Sequence, residues 1–551
     1  MKKKDISKVR KMATSILSCV LFSLLPLFTS CSDFLDEYSQ DMSRVQTVTD
    51  LDELLTGDCL LPLGYVSTAN STYSLYNHNF DIVHFMGDEL EENLDTYYPP
   101  YSSKYYTPNY YPYFTWQQSC FLNEEGKNSN ESSEASYWLM GYQKIGKCNM
   151  ILEAANEIDP VDEDDEALLN QVVGECHFLR ANYYFMLVNL YAKPYAPATA
   201  ATTPGIPIKT TAEIEDIEFE RNSVSEVYDL IISDLNEAEQ KLANLAKPKN
   251  KYRAGILAVY IFRSRIAAFM QNWSEAADYA RKALTMDDSL LDLRNWSEGY
   301  PISGQSPEVV FSNGSSCFGN TIYMYPNRAN RYGGEYTYAP TYTISDHLLS
   351  LYDNNDGRIG AYITNKDDIS NGCWSYKKIN NSTTNFNTYN TASDVFCLRT
   401  AEAYLLLAEA EAQQGNDAAA CRQLNLLRAE RIRDAEDISL SGSELITFIR
   451  EERERELCLE GHRWFDLRRY QVDAKYPFST TIEHTFTFIK LVDYADVRDH
   501  TNYYRLEPND DAYTLDIPKT VRDHQVSIGS NPRPYRQPFK VVTDYVDDDD
   551  Y

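Results

Sequence analysis

The sequence lacks the usual signatures of an enzyme. It has eight His in 551 residues, and no two fall within one helical turn. A paired-His zinc site of the metalloprotease kind is therefore excluded. No CxxC pair and no GxSxG nucleophile elbow occurs. Cations are scarce: 51 Lys and Arg face 82 Asp and Glu, a formal net charge of −31. Nucleic acid is excluded as a partner, because phosphate binding needs clustered Lys and Arg. Docking by charge on anionic lipid is excluded for the same reason. Past the first thirty residues no apolar run is long enough to cross a bilayer. The eleven Cys are scattered without close pairs. They form no disulfide framework, and Cys176, on an apolar helix stripe, is simplest as a buried small residue.

The chain has the composition of a folded globular protein, with 43% hydrophobic and 24% charged residues. Its length allows one large domain or two to three smaller ones. The first residues are a different matter. Lys2, Lys3, Lys4, Lys8, Arg10 and Lys11 form a basic head, followed by an apolar stretch from Met12 to Phe28 and then small residues before Cys31. This pattern predicts a secretory signal peptide over residues 1–30. The run Leu27-Phe28-Thr29-Ser30-Cys31 resembles a lipobox, which makes Cys31 the expected site of lipid attachment. Acyl chains would supply the membrane anchoring that an acidic surface cannot, at ~0.8 kcal/mol per buried methylene.

Two blocks carry helical periodicity. Val172, Cys176, Leu179, Tyr183, Met186 and Leu190 recur every three or four residues. The next helix should open at the capping box Ser223-x-x-Glu226 and run through Val224, Val227, Ile231, Leu235, Ala238, Leu242 and Leu245 until Pro248 stops it. Helices over 254–270 and 273–284 are joined by a tight turn at Gln271-Asn272, and helices over 401–414 and 417–430 by one at Gly415-Asn416. Ala267 and Ala280 in one pair, and Ala408 and Leu424 in the other, suggest two copies of one closely packed, tetratricopeptide-like hairpin. Residues 291–395 lose the helical period and gain Gly, Asn, Ser, Thr and Tyr, and residues 471–551 read as loops and short strands.

Several constellations have a plainer reading than chemistry. Gly141 to Lys147 comes close to a phosphate-binding loop, but it lacks the Ser or Thr that would hold magnesium and lies inside a helical stretch. Asp353 to Gly357 resembles the start of a calcium loop with its Gly one place early, so a turn is the better reading. Glu451 to Glu456 alternates in charge and is expected to be a helix laced with ion pairs of ~0.3–0.5 kcal/mol each. With so many acidic residues, sequence spacing alone does not exclude the paired carboxylates of a glycosidase.

Tyrosine is the positive signal. Eight of the 43 Tyr fall between residues 97 and 114, among them Tyr97, Tyr98, Tyr101 and Tyr110, with Trp116 just beyond. Six more fall between 323 and 342, among them Tyr323, Tyr325 and Tyr332. A Tyr ring offers a rigid apolar face with a hydroxyl tip at low entropic cost. A sugar ring has an apolar C–H face and a polar equator, so such rings suit a glycan when polar groups stand beside them. Asp88, Asn93, Arg328 and Asn330 are the expected neighbours, and Trp296 and Tyr300, at the start of the non-helical insertion, are further candidates. The alternative is that these rings pack loops onto the helical body or face a protein partner.

A set of segments, taken in order, resembles the SusD/RagB nutrient-binding lipoproteins. They are Cys31-Ser-Asp-Phe-Leu-Asp36, Gly174-Glu-Cys-His-Phe-Leu-Arg-Ala-Asn-Tyr-Tyr-Phe185 and Arg221 to Leu235. Arg399 to Ala410, Leu424 to Arg428, Glu452 to Leu457, Glu460-Gly-His-Arg-Trp-Phe-Asp-Leu-Arg468 and Ile517-Pro518 follow. The resemblance implies a mainly α, tetratricopeptide-like scaffold with a loop-rich, short-strand second subdomain. It implies an N-terminal helical region over 31–290 that carries the aromatic loop 97–116. A ligand-face insertion over 291–395, signature helices over 396–470 and C-terminal loops and short strands over 471–551 complete the chain. It further implies a lipid-anchored protein at the cell surface of a Bacteroidetes-type bacterium. Asp33, Asp36 and Glu37 would serve there as a surface-export signal. The expected partners are an oligosaccharide or polysaccharide ligand and a SusC-like TonB-dependent channel in the outer membrane. No catalysis, cofactor or metal is expected. Peptide capture by the same scaffold is the first alternative, a surface glycosidase the second, and a pure interaction scaffold whose tyrosines only pack the third.

Overall fold

The computed structural model describes residues 45–60, 80–93, 110–120, 136–314, 328–329, 335–336, 342–364, 374–379, 392–492 and 495–543. The chain is mainly α. The main helices among the described residues are α1 (Val48–Leu54), α2 (Ser136–Ala155), α3 (Glu163–Tyr191), α4 (Val224–Leu242) and α5 (Ile256–Phe269), then α6 (Trp273–Met286), α7 (Thr400–Gln413), α8 (Asp417–Ala429), α9 (Gly442–Leu457) and α10 (Arg463–Gln471). None of the described helices is long and apolar enough to cross a membrane.

α4 starts where the capping box predicts. Ser223 Oγ accepts from Glu226 N at 3.2 Å, and the Glu226 carboxylate accepts from Ser223 N at 2.7 Å. Its stripe from Val224 to Leu242 is buried against α3. α3 goes further than its one expected face. From Gly174 to Tyr191 all but His177 are buried, because α2 and α4 cover it on separate sides. Gly174 is needed for this approach, since a Cβ there would lie 2.6 Å from Leu242 Cγ.

The two predicted hairpins are built alike. α5 turns into α6 through Gln271 at φ 60°, and α7 turns into α8 through Gly415 at φ 84°. In each, the Asn after the left-handed residue donates its N–H five residues back: Asn272 to Ala267 O and Asn416 to Glu411 O, both at 2.8 Å. This is the Schellman arrangement that closes a helix end. Gln271 holds a conformation usually left to Gly, with its side chain bonded to Val472 O (2.8 Å) and Ala474 N (2.9 Å). Ala267, Ala268, Ala276, Ala277 and Ala280 meet Leu406, Leu407 and Ala410 in one small core that joins the hairpins. Repeated turns and close alanine contact make the scaffold tetratricopeptide-like.

The alternating charges of α9 are not surface ion pairs. Glu452 and Glu456 are fully buried and Glu454 is buried, whereas Glu451, 4.0 Å from Arg455, is half-buried. Glu456 accepts from Arg431 Nε (2.9 Å), Arg399 Nη1 (3.0 Å), Arg358 Nη1 (3.2 Å) and the Tyr362 hydroxyl (2.9 Å). Asp356, Glu308, Glu452 and Glu460 complete the fully buried anions, and Lys378, paired with Glu460, is a further cation. Arg455, 3.0 Å from Glu452, brings the network to five charges of each sign. Burial alone would raise the Glu456 carboxyl, but Arg431, Arg399 and Arg358 outweigh it and hold it well below the usual range. The calcium-like segment belongs to this network. Both Asp356 oxygens bind Arg358, and Gly357 is required because a Cβ would fall 2.0 Å from Leu293 O. The phosphate-loop near miss, Gly141 to Lys147, lies inside α2.

Short strands interrupt the helices. β1 (Leu90–Glu92) pairs with β5 (Tyr342–Ile344), and β2 (Val309–Ser312) pairs with β8 (Cys397–Arg399). β3 (Arg328–Ala329) pairs with β4 (Glu335–Tyr336), and β6 (Ile363–Thr364) with β7 (Ser375–Tyr376), all antiparallel. The C-terminal region exceeds expectation. β9 (Ile482–Val492) and β10 (Ala495–Leu506) form a long hairpin, with β11 (Lys540–Thr543) on its outer edge.

Candidate functional site

The site is framed by the β1–β5 pair. Glu92, the last residue of β1, is paired with Tyr342, the first of β5. The antiparallel register therefore places the exit from β1 and the entry to β5 at one end of the ladder. The first Tyr-rich segment follows β1, and the second precedes β5. The first segment also returns to the same place. Tyr110 stacks on Phe85 at 4.0 Å, Phe85 meets Tyr342 edge-on at 5.1 Å, and Phe114 meets Tyr342 at 4.8 Å. Glu92 secures the ladder to the long hairpin by accepting from Thr487 N (3.0 Å) and Thr487 Oγ1 (2.9 Å).

The roots of the aromatic segments are core. Tyr110 is buried and donates to Asp81 Oδ2 at 2.5 Å. Trp116 is fully buried, donates from Nε1 to Met86 O at 2.9 Å, and stacks on His484 at 4.5 Å. His484 lies between Trp116 and Phe114, and burial lowers it to about 4, so its ring is neutral. The expectation that Tyr110 and Trp116 are surface platforms is corrected: their polar tips are already satisfied inside the fold. Asn93 is buried as well. Trp296 is half-buried and Tyr300 exposed. Both lie close after Leu293, whose N–H bonds Glu430 O (2.8 Å) at the end of α8. For Arg328 the backbone pairing with Tyr336 is described. Cys31, Tyr97, Tyr98, Tyr101, Tyr323, Tyr325, Asn330 and Tyr332 lie outside the described residues.

Asp88 opens a second feature, at the other end of the ladder. A cavity of about 220 Å³ is lined by Asp88, Glu91, His347, Arg463, Phe478 and Thr481, among others. Asp88 was expected beside a sugar, but both its oxygens are held by Arg463, at 2.6 and 2.7 Å. Arg463 also pairs with Glu454 at 2.8 Å, and His347 Nε2 bonds Glu454 Oε1 at 2.8 Å. Ligand atoms of Asp88, His347 and Glu454 lie within 4.8 Å of one another. A divalent cation would have to displace Arg463 to use them, so this is an ion-pair cluster rather than a metal centre. His347, Arg463 and Phe478 were not singled out by sequence, because they come from segments far from Asp88 with no shared motif.

This cluster makes stability depend on pH. Burial, reinforced by Glu454, pushes the Glu89 carboxyl up to about 8, although it accepts from Leu459 N at 3.0 Å. A carboxyl that ionises near 8 when folded and near 4.5 when unfolded loses stability as pH rises between those values. The hydrogen bond to Glu454 raises His347. Its contribution is full below the usual His range and fades as pH climbs through the raised value. Asp88 runs the other way: burial would raise it, but Arg463 holds it lower, so its contribution is lost only in strong acid. Urea unfolding at about pH 5.5 and 8.5 is expected to show a loss in the wild type, of order a few kcal/mol, that Glu89→Gln largely removes. Equal losses in both proteins would clear Glu89 of this role.

Comparison with known proteins places the architecture. Residues 33–267 match the SusD-like 3 family, described as starch-binding associating with outer membrane. Residues 353–533 match the SusD family shared with RagB. The chain belongs to the SusD family. SusD-like protein P38 of Formosa agariphila is 25% identical over 403 residues, covering 61% of this chain and 72% of that protein. A SusD-like carbohydrate binding protein from Bacteroides vulgatus superposes with a TM-score of 0.62 at 19% identity, covering 89% of this chain and 98% of that one. Surface glycan-binding protein A from Bacteroides fluxus gives 0.59 at 17% identity, covering 89% of this chain and all of that one. At these identities the structural likeness establishes the fold of this SusD-family chain. Among the described residues, segments that carry the family resemblance fall on the scaffold: Glu452, Glu456 and Arg399 in the buried network, Gly174 at the α3–α4 crossing.

Proposed function

We propose that this chain binds a carbohydrate outside the cell and passes it, unaltered, to a SusC-like TonB-dependent channel in the outer membrane, to which Cys31 tethers it through lipid. The observation that carries the reading is the β1–β5 pair, which roots both Tyr-rich segments at one edge of a rigid body. Tyr rings with hydroxyl tips suit a pyranose better than a peptide, because both faces of a sugar offer C–H surface to stack on. The family description as starch-binding associating with outer membrane, and the carbohydrate- and glycan-binding names of solved relatives, support the same ligand class.

Calorimetric titration of the purified mature chain against a panel of neutral polysaccharides and casein-derived peptides tests it. Saturable binding to at least one polysaccharide, with no new reducing ends on long incubation, is the expected result. Binding confined to peptides would replace the ligand class, and release of reducing ends would make the protein a hydrolase.

A further inference from the structure

The segment 212–220 is exposed over nearly its whole length, yet it is fixed in place. Ala212 N bonds Glu153 Oε1 at 2.6 Å, and Phe219 N bonds Gln525 Oε1 at 2.7 Å. Gln525 Nε2 also donates to Ile217 O at 3.3 Å, and Ser527 bonds Glu218. This pinned segment holds two isoleucines in water: Ile214 is 102% exposed and Ile217 53%. Val526, next to the Gln525 that fastens Ile217, is 75% exposed. Single exposed aliphatic residues need no explanation, but branched ones grouped on a fixed segment mark a contact surface. Around the two isoleucines stand Glu213, Glu215, Asp216, Glu218 and Glu220, of which Glu215 is paired with Lys209.

The charge pattern decides among occupants. A second copy would oppose the same carboxylates and be repelled, and an anionic lipid surface would be repelled likewise. A neutral glycan has no socket for branched aliphatic side chains. We infer that the segment 212–220, with Val526, docks on a protein surface bearing an aliphatic pocket rimmed by Lys or Arg, and that this surface belongs to the membrane channel. The identity of the partner rests on the reading above; the position of the contact does not depend on which sugar is bound. Isoleucines would supply the buried centre of the contact and the carboxylates its charged rim, which steers association and weakens in salt.

Full-length tagged protein, extracted with its outer membrane in mild detergent, is purified and the co-purifying TonB-dependent channel is quantified by mass spectrometry. Two variants are compared with the wild type: Ile214→Asp with Ile217→Asp, and Glu213→Gln with Asp216→Asn and Glu220→Gln. Thermal unfolding and glycan titration of both should match the wild type, since these side chains are exposed. Channel recovery is expected to fall roughly tenfold or more in the first variant, and to fall and lose its salt dependence in the second. Unchanged recovery in both variants, with channel present in the wild type, overturns the docking surface and leaves the transporter reading intact. Absence of channel from the wild-type preparation, with glycan binding retained, overturns the transporter reading and this contact with it.

Discussion

Glu456→Gln is expected to lower the free energy of unfolding by about 3–5 kcal/mol, out of the roughly 5–15 kcal/mol that folded domains typically possess. The carboxylate accepts from three arginines and a tyrosine hydroxyl inside a site with no access to water. Glutamine keeps the size but removes the negative charge. It also turns an NH₂ group toward guanidinium donors, so one arginine loses an acceptor and the network is left with a net positive charge. Removing one member of a buried ion network strands the others, which is why the cost far exceeds that of a surface pair. Lys519→Ala provides the contrast. Its partner Asp523 is 2.6 Å away, but both side chains are 55% exposed, and the loss should be far smaller than for Glu456→Gln. Urea denaturation of the three proteins measures both losses. A loss under 1 kcal/mol for Glu456→Gln would mean that water or a shifted side chain compensates, and that the network does not hold α9 to the insertion.

That network also marks where the sequence stops being readable. Helix stripes, the Ser223 box and the two hairpin turns were legible because their determinants lie within a few residues of each other. The environment of Glu452 and Glu456 was not. Alternating charge on a helix predicts solvent, and the residues that reverse this reading, Glu308, Arg358, Arg399 and Arg431, come from four other segments. The same limit applies to the aromatics. Tyr110 and Trp116 stand in the same Tyr-rich, Pro-containing stretch as Tyr97 to Tyr106. Only the three-dimensional partners Asp81, Phe85 and His484 reveal that Tyr110 and Trp116 are core. The long β9–β10 hairpin is only partly legible in the sequence for a related reason. Charged and polar residues such as Lys490, Arg498 and Asp499 interrupt its alternation, while pairing across the hairpin extends the strands regardless.

The core position of Tyr110 and Trp116 decides how the ligand proposal is to be probed. Replacing Tyr97, Tyr98 and Tyr101 together by Ala is expected to weaken polysaccharide binding roughly a hundredfold, at about 1 kcal/mol for each stacking ring. The unfolding midpoint should be unchanged. Trp116→Ala should do the reverse. Removing a fully buried indole that bonds Met86 O and stacks on His484 should cost about 3–5 kcal/mol of stability. Protein that still folds should keep most of its affinity, because the ring faces the core. Calorimetric titration and urea unfolding of both variants distinguish the roles. Full affinity in the triple variant would move the ligand off the first aromatic segment, leaving Tyr323, Tyr325 and Tyr332 of the second as the next rings to remove. A wild-type midpoint for Trp116→Ala would contradict the packing around His484 on which the rigid edge of the site depends.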